Sequence, residues 1–278
     1  MQNSKKPRVM ILLTCYNRRE KTLACIKSIG EKNPSYELTF VVTDDNSCDN
    51  TVLALQELPY RFVFLEGDGK LFWNGGMRKA LEYALNHLDL LDYVMLINDD
   101  VVFSPNMVDD LYHRLMENEA EVVVGATKTA ENKTSYGGVL MTSKHFAKYR
   151  LVDPSNDPVY CDTFNGNCVF MSREIFRQVG NLDEHYIHSM SDYDYGMTIK
   201  RKGFRIINTK DYVGVCEDNA VEGSWRDTSL PRRKRLELKE GPKGLPKHDW
   251  YYFIKKNYGF IPACYHSITP YLRILLGK

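Results

Sequence analysis

Short apolar runs recur along the first half of the chain, each followed by a stretch whose apolar positions fall three or four residues apart. VMILLT (9–14) precedes a helical pattern from Arg18 to Ile29, and LTFVVTDD (38–45) precedes TVLALQEL. RFVFLEG (61–67) precedes GGMRKALEYALNHL, where Met77, Ala80, Leu81, Ala84, Leu85 and Leu88 form one stripe; YVMLIND (93–99) precedes SPNMVDDLYHRLMEN. Alternating strand and helix periods predict a parallel sheet covered by helices. Asn17 and Glu20 are spaced as a capping box for the first helix, and Ser104 with Pro105 as a cap and first helical position for the fourth. From EVVVGATK (121–128) the rhythm loosens into short strands, SYGGVLM and FNGNCVFM, and a helix SREIFRQVG ended by Gly180. A mixed sheet is expected there. In HSMSDYDYGMTIKRKG, Ser191 and Asp194 are spaced as a capping box and Gly203 closes the helix, which puts Asp192 in its first turn.

Composition narrows the class. A 278-residue chain with 43% hydrophobic residues builds its own core. Its net charge of +1 conceals an asymmetry, because residues 228–278 hold 11 Lys+Arg against 3 Asp+Glu and the remainder holds 26 against 33. Seven cysteines without a C-x-x-C pair argue against a disulfide scaffold and fit a reducing, cytoplasmic setting. The opening apolar run stops at a polar turn without a signal-peptide cleavage pattern, and no stretch approaches the roughly 20 apolar residues of a membrane span.

Candidate chemistry lies at the strand ends. In MLINDDVVF (95–103) two adjacent carboxylates follow a run that reads as buried, and burial of such a pair requires a cation, a hydrogen-bonding ligand or water. In open parallel sheets ligands bind outside the carboxyl ends of the strands. Those ends carry Thr14, Tyr16, Asn17 and Arg18; Asp44, Asp45, Asn46 and Ser47; Gly67, Asp68 and Gly69; and Asn98, Asp99 and Asp100. Each cluster alone reads equally well as a cap or a solvated turn; four on one rim point to a ligand. Neither G-x-x-x-x-G-K-[ST] nor a G-x-G-x-x-G after the first strand is present. A bound phosphate would need another counter-charge, such as Mg²⁺ or Mn²⁺ held by one or two carboxylates and the phosphate itself.

These segments in order resemble the family 2 glycosyltransferases, which share the GT-A fold, and among them bacterial rhamnosyltransferase-like polysaccharide enzymes. TCYNR resembles the family's T-x-Y-N-R opening, VVTDDNSCDNT its D-D-x-S-x-D-x-T segment and LFWNGGMRKALEYAL its N-x-G region. LINDD resembles the D-x-D metal motif, and VGNLDEHYIHSMSDYDYGMTIKRKGFRI the G-x-F-D-E and E-D-x-D-x-G-x-R block. The resemblance covers roughly residues 8–215. It implies an α/β GT-A domain over 1–222 with a mixed, mainly parallel sheet, followed by a basic, aromatic-rich helical extension over 223–278.

By position, the resemblance implies that Thr14, Tyr16 and Asn17 surround the nucleotide, with Arg18 and Asn98 on the same rim, and that Asp45 contacts the base. It places Asp99 at the ribose or sugar, Asp100 as ligand of Mn²⁺ or Mg²⁺ and Asp192 as catalytic base, with Trp73 and Asn74 near sugar or phosphate. The donor would be a UDP-, dTDP- or GDP-sugar, and the acceptor a glycan or lipid-linked hydroxyl in bacterial surface polysaccharide (O-antigen or capsule) synthesis. Inversion follows from a single displacement. Ser191 stands where the family usually has Glu and Thr198 where it often has Arg. The histidine that often follows the last strand has no counterpart in VGVCEDNAVEG, where Glu217, Asp218 or water would substitute. His185 and His188 read as structural.

The basic tail (Arg232, Arg233, Lys234, Arg235, Lys239, Lys243 and Lys247) is either a solvated face or a site for anionic lipid headgroups, with Trp250, Tyr251, Tyr252 and Phe253 at the interface. The second reading makes the enzyme peripheral at the inner face of the cytoplasmic membrane. Nucleic acid is not expected, since no binding motif accompanies the charge. Two alternatives remain, a catalytically silent nucleotide-sugar-binding protein and a sugar nucleotidyltransferase, the latter disfavoured by the missing Gly-rich first loop.

Overall fold

The computed structural model describes residues 6–118 and 120–278. The first half contains β1 (Arg8–Cys15), α1 (Arg19–Gly30), β2 (Glu37–Asp44), α2 (Thr51–Gln56), β3 (Arg61–Glu66), α3 (Phe72–Asn86), β4 (Tyr93–Ile97), β5 (Val102–Phe103) and α4 (Met107–Glu117). Then follow β6 (Val122–Lys128), β7 (Thr134–Tyr136), β8 (Gly138–Met141), β9 (Tyr149–Leu151), β10 (Tyr160–Cys161), β11 (Thr163–Phe164), β12 (Cys168–Ser172), α5 (Arg173–Val179), α6 (Ser191–Arg201) and β13 (Ile206–Val215). The chain continues through α7 (Arg232–Glu240), α8 (Lys247–Tyr258) and α9 (Phe260–Leu275).

The main sheet has the order β10-β13-β6-β12-β4-β1-β2-β3. Strands β4, β1, β2 and β3 are mutually parallel, whereas β12 runs antiparallel between β4 and β6. The sheet is therefore parallel where strand–helix units repeat and mixed where the rhythm loosens. A small second sheet, β11-β8-β9, lies beyond it. Side chains of β1 alternate between two cores, as the two-residue period of a strand requires. Val9, Ile11 and Leu13 join Ile26 and Ile29 of α1 and Val108 and Leu111 of α4 on one face. Met10 and Leu12 join Met77, Leu81 and Ala84 of α3, with Phe176, Tyr195 and Ile199, on the other.

The helix starts differ from the local capping signals. Asn17 adopts φ 51° and turns its side-chain oxygen to the Cys48 N–H at 2.8 Å, so it caps nothing in α1. Asp49 caps that helix instead, accepting from the Arg19 N–H at 2.9 Å. Helix α4 begins at Met107, after an Asn106 at φ 60°, and takes its cap from Asn33, whose oxygen accepts from the Val108 N–H at 3.0 Å. Helix α6 starts after Met190 at φ 69°, leaving the buried Ser191 hydroxyl without a partner. At α1 and α4 an N–H orphaned at the helix start is satisfied by an acceptor that the tertiary structure supplies.

The chain beyond β13 packs back on this domain. Trp250, Phe253, Ile254 and Ala263 form a cluster with Tyr186 and Met197 of the loop before α6 and of α6 itself. Trp250 and Phe253, expected at a membrane interface, are thus core residues. Two of the tail's cations are also internal. Arg235 donates to the Trp225 carbonyl at 2.9 Å, and Lys239 lies 4.1 Å from the centre of the Tyr271 ring and 2.6 Å from Glu240. Apolar packing draws these residues inward, leaving Arg232, Arg233, Lys234, Lys243 and Lys247 exposed.

Candidate active site

The carboxyl ends of β1, β2 and β4 and the start of α3 meet the start of α6 along one rim. Asp45 ends the β2 turn, and its buried carboxylate accepts from the N–H groups of Gly69 at 2.8 Å, Leu71 at 3.2 Å and Phe72 at 3.1 Å. It therefore anchors the 67–72 loop and caps α3. A Cβ at Gly67 would lie 2.5 Å from Asp45 Oδ1, so the approach demands glycine at 67. At the start of α3 the Phe72 N–H is thus taken by a carboxylate, and the backbone N–H of Trp73 by His188. Thr14 lies behind this helix: a Cβ at Gly76 would fall 2.1 Å from its hydroxyl oxygen. Tyr16 is exposed at the rim.

Arg18 joins the two carboxylates that end β4. Its Nη1 donates to Asp99 Oδ1 at 3.1 Å and to Asp100 Oδ2 at 3.0 Å. Asp99 is buried and also accepts from the Thr22 hydroxyl at 3.2 Å. Burial pushes the Asp99 carboxyl up to about 6, Arg18 pulls against that shift and Asp100 adds to it. Asp100 is more open, and among the described residues its second oxygen meets the Cys216 thiol at 3.7 Å, a weak donor. An acceptor-rich carboxylate beside one guanidinium, with lone pairs left over, fits a hard divalent cation that completes its shell with water or phosphate oxygens. Glu217 is turned away, accepting from the Ala130 N–H at 2.8 Å, so the residue after β13 that approaches Asp100 is Cys216.

Trp73 connects this carboxylate pair to α6. Its indole N–H donates to Asn98 Oδ1 at 2.7 Å, and its ring covers Gly166, where a Cβ would lie 2.7 Å from the ring carbon. The Gly166 N–H in turn donates to Asp192 Oδ2 at 3.1 Å, and the Tyr193 N–H to Oδ1 at 2.8 Å. Asp192 is half-buried at the start of α6. Burial raises its carboxyl from 3.8 to about 6, against the opposing pull of those N–H groups. First-turn position alone would lower it; desolvation is the larger effect.

Two residues take roles the local sequence does not announce. Asn74 is buried, and its amide N–H groups go to the carbonyls of Asp183 and Tyr186, so it ties α3 to the loop before α6 and lies behind the rim instead of beside a sugar. His188 belongs to the rim: its Nδ1 accepts from the Trp73 N–H at 3.4 Å and its ring meets Phe72 edge-on. Burial, with Lys243 and Arg18 nearby, lowers it to about 4, which keeps it neutral and able to accept. His185 is stacked between the rings of Tyr252 and His248, at 3.6 and 4.2 Å.

The acidic strand ends, the Asp99–Asp100 pair and the half-buried Asp192 lie on a mixed, mainly parallel sheet of GT-A-like fold. Residues 10–180 match the glycosyl transferase family 2 model, and the chain belongs to that family. An O-antigen biosynthesis protein of Myxococcus xanthus is 24% identical over 73% of this chain and 17% of its own length. A glycosyltransferase of Staphylococcus aureus named TagX is 24% identical over 73% of this chain and 58% of its own. The chain thus spans little more than half, or far less, of these relatives. Among solved structures, a mannosyltransferase from Pyrobaculum calidifontis in complex with GDP-Man and Mn²⁺ shares the fold (TM-score 0.57, 16% identity, 99% of this chain and 74% of that one). So does GalNAc-T7 with UDP, GalNAc and Mn²⁺ (TM-score 0.60, 10% identity, 99% and 57%).

Proposed function

We propose that this chain is an inverting, divalent-metal-dependent glycosyltransferase that moves a sugar from a UDP-, dTDP- or GDP-sugar to a hydroxyl of a glycan or lipid-linked acceptor in bacterial surface polysaccharide synthesis. The observation that supports the proposal is the Trp73 link, in which the indole bonds Asn98 beside the Asp99–Asp100 pair while the ring covers Gly166, whose N–H bonds the half-buried Asp192 of raised pKa. Names and ligands of the relatives and structural neighbours support the substrate class.

In this reading Tyr16, Asn17 and the loop held by Asp45 flank the nucleotide, and Asp99 faces its ribose or the sugar. Held by Asp100, Mn²⁺ or Mg²⁺ would neutralise the charge developing on the leaving diphosphate. Arg18, already between Asp99 and Asp100, is placed to turn toward the same oxygens. Asp192 removes the proton from the acceptor hydroxyl while that oxygen bonds to the anomeric carbon and the bond to the diphosphate breaks on the opposite face. Its pKa near 6 leaves it ionised at neutral pH yet a stronger base than an ordinary carboxylate. Trp73 and His188 close the site against water.

A single displacement fixes the stereochemistry. The anomeric proton of the product, followed by NMR during turnover of an accepted donor, is expected to report the configuration opposite to the donor's. Retention at that carbon contradicts a base at Asp192 and requires a different mechanism.

A further inference from the structure

Helix α9 is apolar on two opposite faces. Ala263, Ser267, Pro270 and Ile274 face inward, where α9 packs on α7 and α8. Ile261, Tyr265, Ile268, Leu272 and Leu275 recur three and four residues apart on the other side and are 81%, 55%, 55%, 48% and 54% exposed. A helix apolar all round is one whose surroundings cover it on both sides, and a contiguous exposed stripe of this kind marks an interaction surface. Phe146 extends it, its ring edge-on to Tyr265 at 5.8 Å, while the Ala147 N–H donates to His266 of α9 at 3.3 Å.

On the α7 side Glu240 accepts from the Tyr271 hydroxyl of α9, and elsewhere around this face the charge is positive. Residues 250–278 and 142–152 contain no Asp or Glu. Lys144 and Lys148 bracket Phe146, and Lys255, Arg273 and Lys278 are exposed around the helix. Two such faces brought together would oppose their cationic rims, which disfavours a second copy as the cover. No helix among the described residues is long and apolar enough to cross a membrane.

We propose that the outer face of α9, with Phe146, lies in the plane of an anionic lipid membrane. Ile261, Ile268, Leu272 and Leu275 enter the boundary between headgroups and acyl chains, and the surrounding lysines and arginine meet the phosphates. This deepens the reading of a lipid-linked acceptor by holding the chain at the surface where such an acceptor resides, yet it is tested without donor or acceptor. The contact is made by α9, not by the aromatic segment 250–253, which is mostly core.

The test is co-sedimentation with vesicles of phosphatidylcholine containing phosphatidylglycerol, beside vesicles of phosphatidylcholine alone. The protein is expected to bind the anionic vesicles about tenfold or more tightly than the neutral ones. Ile268→Asp/Leu272→Asp should lower that binding about tenfold or more with an unchanged thermal midpoint, since both side chains are exposed. Lys144→Glu/Lys148→Glu should weaken binding to the anionic vesicles alone. Wild-type protein left in the supernatant with anionic vesicles, or an aspartate pair that binds like wild type, overturns the proposal. So does a wild-type dimer that the aspartate pair splits into monomers. Transfer to a water-soluble acceptor reports the catalytic reading separately, because neither pair touches the site.

Discussion

Asp192→Asn is expected to abolish sugar transfer and to remove the pH dependence of stability that Asp192 contributes. Loss of a positioned general base costs roughly 10²- to 10⁴-fold in turnover, and the amide cannot take the proton. Donor affinity should stay within a few-fold, because Asp100 and the β1 and β2 ends are untouched. The pH dependence follows from linkage. The folded protein holds the Asp192 proton to about pH 6, against 3.8 for an unperturbed carboxyl. A raised carboxyl favours folding fully below the unfolded pKa and loses that contribution as pH rises through about 6. About two units correspond to roughly 3 kcal/mol, which the partial exposure of the residue reduces to about 1–2 kcal/mol. The amide can accept from only one of the Gly166 and Tyr193 N–H groups, a cost that does not vary with pH, so between pH 4 and pH 7 the wild type's melting temperature should fall relative to the variant's, while wild-type turnover falls about tenfold per unit below pH 6. Retained turnover would remove Asp192 from the mechanism; wild-type binding of donor with no turnover under any condition would favour the silent binding protein.

Lys256→Ala is expected to loosen the C-terminal helices from the domain. The Lys256 ammonium bridges Asp194 at 2.6 Å and Asp183 at 2.7 Å, and Asp194 is almost completely buried. Burial lowers the Lys256 pKa, but its hydrogen bonds to the two carboxylates outweigh that and raise it. Asp194 keeps the Asn257 amide at 3.1 Å and Arg201 at 4.0 Å, so it is weakened but not stranded. Removing one partner of a buried pair costs about 3–5 kcal/mol, and the partial exposure of Lys256 brings this toward about 2–3 kcal/mol. Urea denaturation should show that loss, with faster proteolysis between β13 and α7. Adding Asp194→Asn to Lys256→Ala should recover part of it, because the uncompensated charge is gone. A loss under about 0.5 kcal/mol would mean that the apolar cluster around Trp250 and Phe253 alone holds the tail.

The strands and the identity of the sheet were legible because β1 to β4 carry uninterrupted apolar runs with helical periods between them. Helix starts were not. Asp49, Asn33 and Asp45 cap helices from distant loops, and no spacing rule within a helix reveals a cap that folding brings from elsewhere. The same limit applies to the rim. Asp99, Asp100 and Asp192 stood out as carboxylates at strand or helix ends, whereas His188, Gly166 and Cys216 reach the rim only through tertiary contacts. Asn74 stood out by motif but was drawn inward by two carbonyl acceptors. In the tail, hydropathy does not distinguish Phe253, which is buried, from Ile268, which is exposed, because α8 and α9 are apolar on more than one side.

The central claim is that the carboxylates ending β4 hold a nucleoside-diphosphate sugar through a divalent cation. Its most direct test is thermal stability against UDP-, dTDP-, GDP- and CMP-sugars, with and without Mn²⁺, for wild type and Asp100→Ala. A ligand at about 100 times its dissociation constant adds roughly 2.7 kcal/mol, well above the resolution of the measurement. The account predicts that one nucleotide class stabilises wild type only when Mn²⁺ is present and leaves Asp100→Ala unmoved. Equal stabilisation of both proteins, or stabilisation that ignores the metal, would contradict it.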